Sequence, residues 1–294
     1  MKTKFLHIAT ALLFVGFTSS CSDFLDRYPL DELSDSSFWK TENDAMMAVT
    51  DIYGCLPTWD QDEDINSDNA VHGIKWAAGN ISKGVYDPMD QSWAGSYTPI
   101  RQCNLVLEKV KDIEMSDESR KKIEGQAYFF RAMQLFDLVR VYGAVPVVNK
   151  VLMAADREGA KDYNRESVET CVNQILSDLK EAANLLPTRK EWGSDQYGRL
   201  TKEAALAYRS RVALVFASPI FNADWNNTGS KRWKDALDIT LEAQAFLSSE
   251  GYGLYGNSAK DWNEMFYKFD NQECKEVIMV KLLASSTSKN DEHS

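Results

Sequence analysis

Histidine is scarce in this chain of 294 residues, which holds three, His7, His72 and His293. Hydrolases of the Ser-His-Asp type and His-rich metal sites need well-placed imidazoles, so the sequence argues against both classes. Cysteine is also scarce, and its spacing matches neither a zinc knuckle nor a dense disulfide framework. We expect four of the five cysteines to be small buried hydrophobic residues, although an oxidising compartment would permit a bridge. These four are Cys55, Cys103, Cys171 and Cys274.

Long apolar runs are absent after the first twenty residues. The apolar stretch over 5–17 is shorter than the roughly twenty residues that a transmembrane helix needs. It follows Lys2 and Lys4 and precedes three small residues and Cys21, which is typical of a secretory signal over 1–20. A cysteine at this place resembles the lipobox of bacterial lipoproteins and predicts a lipid anchor, such as palmitate, on Cys21. The alternative is a plain signal followed by an incidental thiol.

Basic residues are outnumbered, with 33 Lys and Arg against 44 Asp and Glu, for a formal net charge of −11. The predicted signal removes Lys2 and Lys4 and no acid, so the charge of the mature chain becomes −13. An acidic surface argues against nucleic acid as a partner and against docking on anionic lipid by charge. It is compatible with a neutral ligand or a protein partner.

Apolar residues recur at helical spacing in six segments, and this pattern predicts a mainly all-α chain. The segments are approximately 41–54, 93–113, 117–142, 165–186, 201–218 and 231–248. We expect Thr201 to cap one helix and Gly54 and Gly143 to end two others. Paired helices with alanine-rich inner positions favour a superhelix of helical hairpins like that of tetratricopeptide repeats, with long irregular loops.

The helical segments define the predicted domain organisation. Residues 21–37 carry no sustained period and are predicted to be an extended leader, followed by a helical domain over 38–250. Residues 251–294 are predicted to be irregular, with a short apolar run at 276–280 that could begin a minor β element and a disordered tail.

Residues 57–92 form a long segment rich in Asp, Asn, Gly and Pro. A loop of this length inside a compact domain is uncommon and often functional. Sugar recognition needs flat aromatic faces for the pyranose ring and planar polar side chains for its hydroxyls, and this segment supplies both. The candidate glycan contacts are Asp68, Asn69, Trp76, Asn80, Tyr86 and Trp93.

Core packing is the alternative role for these aromatic residues, because tryptophan is highly buried on average. For Trp76 and Tyr86 the two roles remain equally open. Packing is favoured for Trp93 and for its neighbour Tyr97, since both lie on the apolar face of a predicted helix.

Two charged features have structural interpretations. The acidic run over 60–68 begins like a calcium loop but lacks the glycine and the closing glutamate of that motif, so it predicts a solvated loop. Arg131 and Arg140 are predicted to form ion pairs, with Asp137 or Glu124 as candidate partners. The sequence indicates neither a metal ion nor a cofactor.

Five motifs stand in order between residues 21 and 280. They are Cys21–Asp26 with Tyr28-Pro29; Phe38-Trp39-Lys40 with Ala45–Ala48 and Tyr53; Trp93, Tyr97, Ile100 and Asn104; the run Glu124–Pro146; and Gly198–Ala205 followed by Arg211–Leu214. Together they resemble the SusD/RagB family of surface lipoproteins from Bacteroidetes-type bacteria. The run Glu124–Pro146, which holds Ala127, Phe130, Arg131 and Ala132, is the most specific of the five.

This resemblance implies a cell-surface protein that binds an oligosaccharide and passes it to a TonB-dependent, SusC-like transporter in the outer membrane. The chain would be held by lipid at Cys21 and would face the cell exterior, because Asp23 and Asp26 give an acidic start of the kind linked to surface display. Family members are usually longer, so we expect this chain to be the N-terminal portion of one, with 251–294 as the start of a truncated subdomain.

Two other functions stay open. A helical scaffold could bind the transporter without binding a glycan. A surface glycosidase would need two carboxylates at a set separation, one with a raised pKa, and the sequence singles out no such pair. We therefore predict a binding protein rather than an enzyme.

Overall fold

The computed structural model describes residues 38–57, 84, 94–152, 163–267 and 274–282. The chain divides into a short unit, Met1–Lys40, and a main unit, Thr41–Ser294. In the short unit the structure describes Phe38–Lys40, where the rings of Phe38 and Trp39 meet edge to face with centroids 5.2 Å apart.

The main unit is helical, as the sequence predicts. Within its described residues there are eight α-helices and no β-strand. The helices are α1 (Glu42–Ile52), α2 (Ala94–Lys109), α3 (Asp117–Tyr142), α4 (Val168–Leu185), α5 (Arg189–Trp192), α6 (Lys202–Ala217), α7 (Lys231–Ser249) and α8 (Ala259–Tyr267). None of them is long and apolar enough to cross a membrane.

Hydroxyl side chains begin most of the long helices. Each accepts a hydrogen bond from a backbone N–H of the first turn, which has no partner inside the helix. The caps are Thr41 on α1, Ser116 on α3, Ser167 on α4 and Thr201 on α6. The predicted cap at Thr201 is confirmed, with the N–H of Ala204 donating to its hydroxyl over 3.2 Å.

Helix ends agree with the sequence in one case and differ in two. Gly143 ends α3 with φ of 70°, a conformation that glycine adopts without steric penalty. The prediction that Gly54 ends α1 in the same way is wrong, because the chain tightens there into a 3₁₀ turn over Tyr53–Cys55 and φ is not positive. Helix α2 stops at Lys109 rather than near 113 and is followed by a turn in which the N–H of Asp112 donates to the carbonyl of Lys109 over 3.1 Å. The Arg120 guanidinium binds the carbonyls of Val110 and Ile113 in this segment.

Consecutive long helices pack on one another in chain order. Helix α3 contacts α1, α2 and α4, while α6 contacts α4 and α7. Alanines such as Ala127, Ala205 and Ala236 lie buried at these contacts, which lets the helix axes approach closely. Gly125 allows a still closer approach, since a Cβ there would lie 2.8 Å from Cγ of Leu186. The result is the predicted tetratricopeptide-like stack of helical hairpins.

The predicted β element at 276–280 is wrong. Residues 274–282 instead form an irregular strip that begins with a turn, in which the N–H of Val277 donates to the oxygen of Cys274 over 3.2 Å, and that has no strand neighbour among the described residues. Its carbonyls are bound by other groups: the Arg189 guanidinium donates to the oxygens of Val277 (2.7 Å) and Ile278 (3.2 Å). The N–H of Gly253 donates to the oxygen of Lys275 over 3.2 Å. A side chain therefore stands where a second strand would have to pair.

Helix α8 was not predicted from the sequence, which favoured irregular structure after 250. It begins with reciprocal bonds between Ser258 and Asp261, in which each side chain accepts from the other's backbone N–H. None of its residues is buried, and Trp262, Phe266 and Tyr267 are well exposed. Trp262, Met265 and Phe266 stand at i, i+3 and i+4, so the sequence carried both a short helical period and a capping pair for this helix.

Candidate functional site

The residues predicted to bind glycan and lipid lie outside the described residues. These are Asp68, Asn69, Trp76, Asn80, Tyr86 and Trp93, together with the lipidation site Cys21. The structure does give the points where the predicted binding loop leaves and rejoins the helical body, at Pro57 and Ala94. The departure point is next to a cleft.

Residues 186–201, which we call the connector, join α4 to α6 and form one wall of this cleft. A capping box between Thr188 and Glu191 starts the short helix α5 inside the connector. The buried carboxylate of Glu203 accepts from the N–H of Arg189 at 3.0 and 3.2 Å. The indole N–H of Trp192 donates to the oxygen of Leu200 over 2.9 Å. The connector is thus fastened at both of its ends.

A cleft of about 340 Å³, which we call cleft A, lies between the connector, the end of α1 and the 274–282 strip. Aromatic, hydroxyl and guanidinium groups share its lining with aliphatic side chains. The lining residues are Thr50, Tyr53, Gly54, Leu56, Tyr197, Gly198, Arg199, Val280, Lys281 and Leu282. Its volume is in the range of small-molecule sites in proteins.

Tyr53 fixes the geometry of cleft A. Its hydroxyl donates to Oε1 of Gln126 (2.6 Å) and accepts from the N–H of Leu200 (2.8 Å), which joins α1, α3 and the connector. Burial raises the pKa of Tyr53 to about 12, so the phenol stays protonated and able to donate at neutral pH. The Arg199 guanidinium lies 5.5 Å from the Tyr53 ring centroid and donates to the Thr50 hydroxyl over 2.8 Å. Ring and guanidinium are therefore held in position by several partners.

The predicted binding loop starts at the rim of cleft A. Leu56 lines the cleft, and its carbonyl accepts from Nζ of Lys281 over 2.7 Å. Pro57 follows and is exposed. Aromatic rings next to a guanidinium and a hydroxyl can contact the apolar face of a sugar and bind its hydroxyls. Cleft A is therefore the candidate site in the described part of the chain.

Tyr53, Tyr197 and Arg199 were not predicted from the sequence to be site residues. One signal in the sequence pointed to this place, since Gly198 begins one of the five motifs. In the structure Gly198 has φ of 94°. A Cβ at Gly198 would lie 2.7 Å from the Leu282 side chain, so this position needs glycine for both its conformation and its packing. The convergence of α1, the connector and the strip depends on tertiary contacts that no local pattern reveals.

A second polar cluster is buried inside the helical stack. Nε and Nη2 of Arg131 each donate to the Asp178 carboxylate over 2.7 Å, and Nη1 donates to Oδ1 of Asn104 over 2.9 Å. The amide of Asn104 donates in turn to the carbonyl of Val148 over 3.0 Å. An ion pair at Arg131 was predicted, but its partner is Asp178 of α4 rather than Asp137 or Glu124. The polar groups of this cluster hydrogen-bond to one another, so the cluster joins the helices and is not a candidate ligand site.

The four described cysteines are free thiols, and three of them are buried as predicted. Burial raises the pKa of Cys55 to about 11 and that of Cys103 well above its usual range. Both thiols therefore stay protonated and are poor nucleophiles at neutral pH. The described residues also contain no group of His, Cys, Asp and Glu side chains that could hold a metal ion.

Known proteins that resemble this chain identify its family. Residues 24–214 match the family model of SusD-like proteins, which is described as starch-binding and associating with the outer membrane. The chain is 26% identical to SusD-like protein P38 of Formosa agariphila, over 94% of this chain and 53% of that protein. It thus spans about half the length of the curated relatives that it matches.

Solved structures share the fold. A SusD-like protein from Bacteroides fragilis superposes with a TM-score of 0.69 at 25% identity, over 88% of this chain and 48% of that one. A laminarin-binding SusD-like protein superposes with a TM-score of 0.59 at 20% identity, over 82% of this chain and 51% of its own, a likeness in fold alone. Because its sequence matches the family model over residues 24–214 and its helical fold is shared with a solved SusD-like structure, this chain belongs to the SusD-like family.

Proposed function

We propose that this chain captures an oligosaccharide at the outer membrane and passes it to a TonB-dependent, SusC-like transporter, without catalysing a reaction. The observation that carries the proposal is cleft A, where Tyr53, Tyr197 and Arg199 meet beside the start of the 57–92 loop. A fixed aromatic ring beside a guanidinium is suited to a hydroxyl-rich ligand such as an oligosaccharide. The description of the family as starch-binding supports the same class of ligand.

The loop is proposed to supply the remaining contacts. In this proposal Trp76 and Tyr86 stack on sugar rings, while the polar loop side chains bind hydroxyls. The polar candidates are Asp68, Asn69 and Asn80, and Trp93 stands at the end of the loop. Because Leu56 is anchored by Lys281, the loop leaves the body from a fixed point, which reduces the entropy lost when a ligand orders it.

Lipid on Cys21 is proposed to hold the protein at the membrane with its body facing the cell exterior. A Cys21→Ala variant should lose incorporation of labelled palmitate and leave the membrane fraction. Protease added to intact cells should digest the wild-type protein if it faces outward. Survival of the protein until the cells are lysed would contradict surface display.

Calorimetry with a panel of plant, host and microbial oligosaccharides tests glycan binding directly. We expect Trp76→Ala and Tyr197→Ala each to weaken the binding of an active glycan about tenfold, which equals about 1.4 kcal/mol. Trp225→Ala is the matched control, because Trp225 is an aromatic residue with 49% exposure that does not line cleft A. Equal affinities for all variants, or a large fall in melting temperature for Trp76→Ala, would contradict the assigned contacts.

Experiments on the same purified protein distinguish the proposed function from a scaffold and from a glycosidase. Silence across the glycan panel, with capture of the transporter intact, would favour the scaffold. Release of reducing sugar that disappears when one carboxylate is replaced would favour a glycosidase. Co-purification of the transporter with the tagged chain from outer membranes tests the proposed partner.

A further inference from the structure

A second cleft of about 270 Å³, which we call cleft B, lies at the start of the 274–282 strip. Charged side chains from four parts of the fold line it, together with a tyrosine. The lining residues are Arg189, Lys190, Glu203, Glu250, Gly251, Tyr252, Cys274 and Lys275. Cleft B shares no lining residue with cleft A, so the two are separate clefts.

The charge of cleft B is opposite to that of the chain. Three cations meet two acids there, in a chain whose formal net charge is −11. Lys190 and Lys275 are exposed, and neither forms an ion pair with an acid in the part of the chain that the structure describes. One of the two acids, Glu203, is buried and already accepts the N–H of Arg189. Three cations minus two acids leave cleft B with a net formal charge of +1, and the two exposed lysines are available to a ligand that carries negative charge.

Arg189 lines cleft B with a guanidinium that is held in a fixed position. Its guanidinium is held by the carbonyls of Val277 and Ile278 and lies between two tyrosine rings, 5.6 Å from the centroid of Tyr197 and 5.2 Å from that of Tyr252. These contacts fix a positive charge in one place. The two lysines, which no described partner orders, can adjust around a ligand above it.

Tyr252 is placed by the end of α7. Gly251 has φ of 88°, which turns the chain back, and the N–H of Tyr252 donates to the carbonyl of Leu247 over 3.0 Å. This turn is the glycine-dependent helix end that closes many α-helices. It brings the Tyr252 ring against Arg189 and leaves Glu250, the last residue before the turn, at the cleft. Cleft B thus combines the ring of Tyr252, the fixed guanidinium of Arg189 and two exposed lysines. The Glu250 carboxylate can accept hydrogen bonds from hydroxyl groups.

We propose that cleft B binds an acidic sugar, a uronate, with the sugar carboxylate held by Lys190 and Lys275 and a ring hydroxyl donating to Glu250. A volume of about 270 Å³ is close to the lower bound of small-molecule sites, about 300 Å³, and suits a single sugar ring. Ammonium-to-carboxylate hydrogen bonds are stronger than those between neutral groups, so they can select an acidic glycan over a neutral one. This inference rests on the proposed function and adds the chemical class of the ligand.

Calorimetry of the purified chain with oligogalacturonate, and in parallel with a neutral glucan of equal length, tests cleft B. The charge-neutral variant Lys190→Met/Lys275→Met should bind oligogalacturonate at least about fivefold more weakly than wild type. Lys180→Met/Lys234→Met is the matched control, since both lysines are exposed and lie outside cleft B. It should bind like wild type.

Salt and charge reversal sharpen the test. Raising ionic strength should weaken wild-type binding of oligogalacturonate and have less effect on the neutral variant, because exposed charges are screened. Lys190→Glu/Lys275→Glu should abolish that binding, while the affinity for any neutral glucan that binds stays unchanged. All of these substitutions are on the surface, so the melting temperature should stay within a few degrees of wild type.

Three outcomes would overturn the inference. Binding of the neutral glucan without oligogalacturonate would remove the acidic-sugar site and leave the proposed function standing. Binding of oligogalacturonate that is equal in wild type and in both lysine variants would place the ligand elsewhere. Binding of neither glycan, nor of any other in the panel, would refute the proposed function together with this site.

Discussion

Breaking the buried ion pair between Arg131 and Asp178 should destabilise the fold strongly. The two residues are 7% and 3% exposed, and two hydrogen bonds of 2.7 Å join the guanidinium to the carboxylate. Asp178→Asn keeps the shape of the side chain but leaves the guanidinium without a countercharge. Removal of one partner from a buried pair costs about 3–5 kcal/mol. Whole domains are stable by about 5–15 kcal/mol, so we expect a large part of the stability to disappear.

Urea unfolding followed by circular dichroism measures this loss, and the chain offers a control of the same chemistry. Asp137 pairs with Arg140 over 3.1 Å, but these side chains are 35% and 52% exposed. Burial raises the pKa of Asp137, which means that the charged form of this carboxylate is disfavoured in the folded state. Asp137→Asn should therefore change the free energy of unfolding by less than about 1 kcal/mol.

A double substitution separates the lost charge from the lost packing. Arg131→Met/Asp178→Leu removes both charges and should be less destabilised than Asp178→Asn, because no uncompensated charge remains inside. Equal losses for Asp178→Asn and Asp137→Asn would refute the reasoning. A double variant that unfolds more easily than Asp178→Asn would show that the pair contributes through its hydrogen bonds rather than through charge compensation.

Three further predictions concern packing, capping and pH. Gly125→Ala should lower the free energy of unfolding by about 1–3 kcal/mol in urea titrations, because the new Cβ would meet Leu186 at 2.8 Å. Alanine favours helix more than glycine does, so a gain in stability would contradict this close contact. Thr201→Ala should cost about 1 kcal/mol in the same assay, while Thr201→Ser should retain most of the cap, and equal losses in both would argue against capping. Since burial raises the pKa of Tyr53 from 10.0 to about 12, its contribution to stability is complete below pH 10 and is lost as the pH rises through about 12. Melting temperatures across this range should fall more steeply for wild type than for Tyr53→Phe, and parallel curves would contradict the raised pKa.

The sequence predicts the helices best where local chemistry and burial agree. Helix α3 occupies Asp117–Tyr142, the range expected from its apolar period, because Ser116 caps its start and Gly143 ends it. Helix α8 has an apolar face, formed by Trp262, Met265 and Phe266, but it spans only nine residues and follows a segment rich in Gly and Asn that favoured irregular structure. The strip at 274–282 has the composition of a strand but no neighbouring strand among the described residues, and composition does not report a missing neighbour.

Partners distant in the chain lie beyond what sequence spacing can predict. The expected partners of Arg131 were acids within about two helical turns, but the guanidinium points at Asp178, 47 positions away on another helix. Cleft A likewise joins Thr50 to Arg199 across 149 positions. The loop candidates, Trp76 among them, remain predictions from residue chemistry. A motif that includes Arg199 was visible in the sequence, and its place in a cleft became visible in the fold.

The bonds of Lys281 and Tyr53 have a consequence for folding. Lys281 donates to the carbonyl of Leu56 across 225 positions, and Tyr53 accepts from the N–H of Leu200 across 147. Contacts between such distant segments close large loops, which makes them slow to form and late to appear as the chain is made from its N-terminus. Tyr53 can bond to Gln126 of α3 early, but the start of the 57–92 loop stays unanchored until Lys281 has been made. A polypeptide interrupted before residue 199 would keep its early helices but would lose the fixed point from which its 57–92 loop emerges.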